Sequence, residues 1–206
     1  MFLTIQQKRI EEEIVVKKSK FIATLYYVRS EEEAQDIIKS VKKNYYDARH
    51  NCYAYRIIKE NETIERFSDD GEPSGTAGAP MLGILSKNNL GNVLVVVTRY
   101  FGGILLGTGG LVRAYSDATL KVVDSAKIVK ETLGLEVKVE ILYANLENLK
   151  YYCKKNNLEI TNIEYGEKVN CYIDMTNDEY ELFSSLMKSD LDVLNHRIIE
   201  QKYIRK

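Results

Sequence analysis

From position 21 the hydrophobic residues of this 206-residue chain fall into short runs of two kinds, strand-like and helix-like. FIATLYYV, residues 21–28, is dense in β-branched and aromatic side chains and predicts a strand. Ser30 with Glu33 three places on forms a capping box. The apolar positions that follow, Ala34, Ile37, Ile38, Val41 and Tyr45, recur on one face of a helix. NCYAYRII (51–58) and TIERF (63–67) predict two further strands. A second helix is expected to start between Thr76 and Pro80, because proline is tolerated in a first turn. NVLVVVT (92–98) is apolar without a break, which suits a strand covered on both faces. Leu111, Ala114, Tyr115, Ala118 and Val122 then mark the buried stripe of a third helix.

The second half has a cleaner rhythm. LGLEVKVEILY (133–143) alternates as a strand does, and Leu146, Leu149 and Cys153 share a helical face. LEITNIEYGEKVNCYIDM (158–175) predicts a hairpin turning near Gly166. Thr176 and Glu179 make a second capping box, opening a helix that buries Tyr180, Phe183 and Met187. DVLNHRIIEQKYI (192–204) closes as a strand. The order is βαββαβ, the ferredoxin-like split motif. The expected class is therefore α+β, with one domain over residues 1–130 and a ferredoxin-like one over 131–206, the boundary falling near 127–132.

Composition changes this picture only a little. At 45% hydrophobic and 29% charged the chain is an ordinary folding sequence. The net charge of -1 hides an asymmetry: residues 1–130 carry 19 Lys+Arg against 16 Asp+Glu, and residues 131–206 carry 10 against 14. The first domain, at +3, permits an anionic partner and demands none. Cys52, Cys153 and Cys171 show no paired spacing, so free buried thiols in a reducing compartment are expected, and no metal site is predicted from them. The start MFLTIQQKRIEEEIVV lacks a basic segment followed by an apolar core, and no apolar run approaches the ~20 residues of a membrane span. A cytoplasmic protein without membrane contact is the expectation.

The glycines carry the chemistry. Of 12 in the chain, ten lie between Gly71 and Gly110, and five of those fall within nine residues of RYFGGILLGTGGLVRAYSDA (99–118). A helix opening near Gly109 presents amides without intrahelical partners at its positive dipole end. Bare backbone there leaves those donors open to phosphate, carboxylate or a nucleic-acid backbone. The candidate anion or nucleic-acid site comprises Arg99, Tyr100, Gly102, Gly103, Gly107, Thr108, Gly109, Gly110 and Arg113. The segment is neither a P-loop, since no lysine follows the last glycine, nor a dinucleotide fingerprint. Tight packing of loop and helix on the sheet is the competing explanation.

A second glycine-rich approach, RFSDDGEPSGTAGAP (66–80), gathers Asp69, Asp70 and Glu72. Three carboxylates could hold a hard cation such as magnesium (Mg2+), or Asp69 and Asp70 could be turn and capping residues. No cofactor is otherwise predicted. His50, with Asp69, Asp70 and Glu72, completes a weak catalytic set that has no nucleophile signature beside it. Arg113 pairs with Asp117 at i,i+4 or clamps an anion beside Arg99. Tyr53, Tyr55, Tyr100 and Phe101 either stack on bases or pack in strands.

RFSDDGEPSGTAGAPML, VVVTRYFGGILLGTGGLVRAYSDA and the upstream HNCYAYR closely resemble the IMPACT/YigZ family, and the acidic second half resembles the C-terminal domain of its bacterial members. The resemblance implies a βαβ-type first domain similar to domain IV of elongation factor G and a second similar to its domain V. It also implies a link to translational control, which eukaryotic relatives have, and suggests nucleic-acid binding or hydrolase activity. The family's signature falls on His50, Asp69, Asp70, Glu72, Gly75, Arg99, Tyr100, Gly102, Gly103, Gly107, Gly109, Gly110, Arg113 and Tyr115. Three functional readings result. The first is an RNA- or ribosome-associated binding protein in translation regulation, without DNA sequence specificity. The second is a metal-assisted hydrolase acting on a phosphorylated or carboxylate small molecule or a dipeptide. The third is a module that binds a translation-related protein.

Overall fold

The computed structural model describes residues 1–60, 62–186 and 191–206, so Met187, expected on a buried helical face, lies outside the described residues. The chain divides into two compact units, Phe2–Lys130 and Glu131–Lys206, Met1 being grouped with the second.

In the first unit the chain runs β1 (Phe2–Ile5), β2 (Arg9–Val16), β3 (Ser19–Tyr27), α1 (Glu31–Asn44), β4 (His50–Ile58), β5 (Thr63–Ser68), α2 (Gly78–Lys87), β6 (Val93–Tyr100) and α3 (Thr108–Asp124). Five strands form one sheet in the order β2-β3-β6-β4-β5, every neighbouring pair antiparallel. β6 is inserted between β3 and β4, which therefore run parallel to each other around it, a split βαβ. The unbroken apolar run of β6 has its reason here. Val93, Val95 and Val97 join a core with Phe21, Met81, Leu111 and Tyr115, under α2 and α3. Leu94 and Val96, pointing the other way with the period of a strand, pack with Ala34, Ile38 and Val41 of α1. Ser30 Oγ accepts from the Glu33 amide at 3.1 Å, capping α1 as the pattern predicts. The pattern gives no sign of β2, whose sequence RIEEEIVV breaks alternation with three consecutive glutamates; it is an edge strand, where charge disfavours pairing with other chains.

The strand register positions the site. His50 lies opposite Arg99, at the start of β4 and the end of β6, and Ser68, ending β5, lies opposite Tyr53. Both glycine-rich loops thus leave the sheet at the same end of its strands.

The second unit is built from β7 (Ile128–Ile141), whose first three residues precede the division, α4 (Leu146–Lys155), β8 (Glu159–Tyr165), β9 (Val169–Met175), α5 (Asn177–Leu186) and β10 (Asn195–Arg205). Its strands lie in the antiparallel order β10-β7-β9-β8, the expected βαββαβ sequence of elements. Val137, Val139, Cys171 and Ile173 face Leu149, Cys153 and Phe183 across the core. The capping box closes both ways, Thr176 N–H donating to Glu179 Oε2 at 2.8 Å and Glu179 N–H to Thr176 Oγ1 at 3.2 Å. All three cysteines are free and buried.

Candidate functional site

The loop before α2 spends its carboxylates on its own backbone. Asp69 accepts three amides: Gly75 at 2.8 Å on Oδ2, Ala77 at 3.0 Å and Gly78 at 2.8 Å on Oδ1. Partial burial works against the charged form, but these bonds outweigh it and hold the Asp69 carboxyl below its usual range. Asp70 accepts from the Asn51 amide at 2.7 Å and pairs with Lys42 at 2.6 Å. Glu72 turns inward, its side chain 4% exposed, where Oε1 accepts from Arg99 Nη1 at 2.6 Å and the Tyr115 hydroxyl at 2.9 Å. Of the two alternatives for these carboxylates, the turn and capping role is the one Asp69 and Asp70 adopt, and the three side chains point to three different partners. Among the described residues no group of three or more His, Cys, Asp and Glu side chains is placed to hold a metal.

The loop before α3 does the opposite. Gly107 enters the helix at φ 73°, a conformation that suits glycine, and offers no side-chain cap. The Leu111 amide makes the first intrahelical bond, to Gly107 O at 2.9 Å. Among the described residues nothing accepts from the amides of Thr108, Gly109 and Gly110. Space around Gly109 is open, with no atom within 4 Å of where a Cβ would stand.

The rest of the expected anion set scatters. Arg99 is 5% exposed and committed to Glu72, with its guanidinium 5.5 Å from the Phe21 ring and 5.7 Å from the Phe101 ring. It is not the free anion clamp that its sequence position suggests. Tyr100 donates its hydroxyl to Asp47 at 2.8 Å. Gly102 is a packing glycine: a Cβ there would stand 2.0 Å from the Lys18 carbonyl carbon, and its amide donates to Ser19 Oγ at 3.1 Å. Gly103 is open at φ 84°. Arg113 is exposed, forms no ion pair with Asp117 and does not line the cavity described next. Of the aromatic candidates, Tyr55 is 1% exposed, whereas Phe101 is 41% exposed beside that cavity.

Between the two loops lies a cavity of about 430 Å³. His50, Glu72 and Arg99 line it on the sheet side, Gly107 and Thr108 at the start of α3, and Phe101, Leu105 and Leu106 along the intervening loop. His50 donates Nδ1–H to the Asp70 carbonyl at 2.8 Å, so in the neutral ring Nε2 is the acceptor. Arg49, also lining the cavity, is exposed and has no ion-pair partner among the described residues. No local pattern marks Arg49 in the sequence; only its place one residue before His50 gives it away. The site joins an uncapped helix start to a free guanidinium, a pairing that favours an anion. It lacks a ready nucleophile. Cys52 bonds to the Tyr115 hydroxyl at 3.4 Å, and burial pushes its thiol up to about 12. Burial likewise raises the Tyr115 phenol.

The Impact N-terminal domain family matches residues 17–123, which include every residue lining the cavity. The chain belongs to the IMPACT family. Residues 139–189 match a second family, a domain of unknown function (DUF1949). IMPACT family member YvyE of Bacillus subtilis is 41% identical over 177 residues, covering 86% of this chain and 81% of that protein. IMPACT family member YigZ of Escherichia coli is 37% identical over 151 residues, 73% of this chain and 74% of its own. A crystal structure described as that of a hypothetical protein aligns over 97% of both chains at 31% identity, with a TM-score of 0.63. Among the described residues no helix is long and apolar enough to cross a membrane.

Proposed function

We propose that this IMPACT family protein binds RNA, holding phosphate oxygens at the start of α3, and that it does so in translation regulation. One observation carries the reading. The amides of Thr108, Gly109 and Gly110 have no acceptor among the described residues, and the cavity that reaches this helix start at Gly107 and Thr108 is also lined by the unpaired guanidinium of Arg49. Aligned amides at a helix start favour anions, and a guanidinium adds a fork matched to phosphate. The excess of basic residues in the first unit, 19 against 16, favours the same partner. The translational setting rests on the family resemblance, as does the likeness of the two units to domains IV and V of elongation factor G. A ribosome or a translation-related protein is the expected partner.

The test is binding of a single-stranded RNA across a salt series, with ribosome co-sedimentation at low and high salt. Affinity is expected to fall steeply with salt, because phosphate contacts release counterions. Arg49→Ala is expected to weaken binding several-fold and to flatten the salt slope by about 0.7, the share of one phosphate contact. Affinity indifferent to salt, or an Arg49→Ala protein that binds as the unaltered one does, overturns the reading.

A further inference from the structure

The cavity offers more than an anion requires. Its donors belong to Arg49 and the start of α3, but its sheet side presents two acceptors with nothing to accept. His50 is 9% exposed, its Nδ1 is taken by the Asp70 carbonyl, and Nε2 lies 3.9 Å from Glu72 Oε1, beyond hydrogen-bond reach. Glu72 Oε1 is filled by Arg99 and Tyr115, while Oε2 has no partner among the described residues. Arg99, 94% buried by side chain, adds an Nε without an acceptor. Arg99 Nε is fully buried without an acceptor, and with the unused His50 and Glu72 atoms beside the same cavity it points to a ligand.

The chemistry of that ligand follows from what surrounds each end. Arg99 already neutralises Glu72 at 2.6 Å, so the acceptors call for uncharged donors, hydroxyls, rather than an ammonium group. Phe101 and Leu105, 41% and 82% exposed, give an apolar wall for a flat ring. A volume of about 430 Å³ suits one small molecule or one nucleotide and excludes a duplex. We infer that the cavity takes a ribonucleoside carrying a 5′-phosphate and a free cis-diol. The phosphate sits on the amides of α3 and Arg49, the 2′- and 3′-hydroxyls donate to His50 Nε2 and Glu72 Oε2, and the base lies along Phe101 and Leu105. This rests on the reading of α3 as a phosphate site. Two sources share the chemistry: the 3′-terminal nucleotide of an RNA strand and a free nucleoside 5′-monophosphate.

Fluorescence anisotropy on the full chain at constant salt tests it. The probes are a 5′-labelled unstructured RNA, the same RNA bearing a 3′-phosphate, the matching DNA, and unlabelled AMP and 2′-deoxy-AMP as competitors. The expected result is RNA with a free diol binding at least tenfold tighter than the 3′-phosphorylated RNA or the DNA, and AMP competing at least tenfold better than 2′-deoxy-AMP. AMP binding, measured by calorimetry, with no RNA binding supports the inference and removes the RNA reading. RNA bound equally whatever its 3′ end overturns the inference and leaves the phosphate site standing. Gly109→Asp sets a carboxylate among the open amides where space is free and the backbone is unstrained. It is expected to keep the fold, checked by thermal melting, and to reduce nucleotide binding at least tenfold. A folded Gly109→Asp protein that binds normally overturns both.

Discussion

Two glycine-rich loops leave the same end of one sheet's strands and each opens a helix, yet they treat the helix start in opposite ways. Before α2, Asp69 collects three amides and closes the end with protein atoms. Before α3, Gly107 supplies no side chain and the amides of Thr108, Gly109 and Gly110 stay bare. An aspartate at a helix start is the ordinary solution and stabilises by about 1 kcal/mol or more. The same chain applies that solution at one end and forgoes it at the other, a few residues from Arg49 and His50 across the cavity. Forgone stability beside a cavity is what a binding site costs. On the proposed reading the bare end is the one that binds, and the closed end is scaffold.

The sharpest way to break this comparison is to ask which glycines in the second loop are also scaffold. Gly102→Ala drives a methyl to within 2.0 Å of the Lys18 carbonyl carbon and 2.4 Å of the Ser19 amide nitrogen, in the β2–β3 turn. Backbone cannot yield as a flexible side chain would, so a loss of about 3 kcal/mol is expected, read as a fall in the urea midpoint. A neutral result would mean the loop does not rest on that turn. Asp69→Ala comes next, at about 2 kcal/mol, since three amides lose a charged acceptor. Its pH signature separates it from other losses. The folded carboxyl titrates below the unfolded one, so its contribution is complete above about pH 4 and fades as pH falls toward the folded value. Stability of Asp69→Asn is expected to decline less steeply with acid than that of the unaltered protein over that window. Equal slopes would remove Asp69 as the cap that matters.

How much of this was legible in the sequence depends on how far each partner lies along the chain. The α3 stripe, the β6 run and both capping boxes were readable because their determinants are three or four residues apart, or two. β2 was missed because an edge strand carrying Glu11, Glu12 and Glu13 has no hydrophobic alternation strong enough to see. Gly102 and Gly109 look alike in sequence, and only Lys18, more than eighty residues earlier, makes one a packing glycine and leaves the other open. Arg99 and Glu72 each looked like a free charge until the fold brought them to 2.6 Å. Arg49 was overlooked for the converse reason: an arginine after a helix is unremarkable until the cavity beside it is known.

A smaller effect tests the entry to α3 itself. Gly107 holds φ 73° and ψ 168°, a region essentially confined to glycine, so Gly107→Ala meets no distant atom but strains its own backbone, at a cost on the order of 1–3 kcal/mol. A larger loss in thermal denaturation would reveal a steric role for Gly107 and weaken the contrast with Gly102.

Gly109→Ala should have the smallest effect and is the most discriminating. The residue lies in the first turn of α3, its φ is outside the left-handed region, and an added Cβ finds no atom within 4 Å. On stability grounds alone alanine is the better residue, because it restricts the unfolded chain and favours helix by up to about 1 kcal/mol. The unaltered chain nevertheless keeps glycine, and the only group a methyl would obstruct is one approaching the amides from outside. Gly109→Ala is therefore expected to leave the melting temperature unchanged or slightly higher while weakening RNA binding two- to fivefold. Higher stability with undiminished binding would place the ligand away from this turn. Lower stability would return the glycine to packing, and with it the reason for leaving this helix end uncapped.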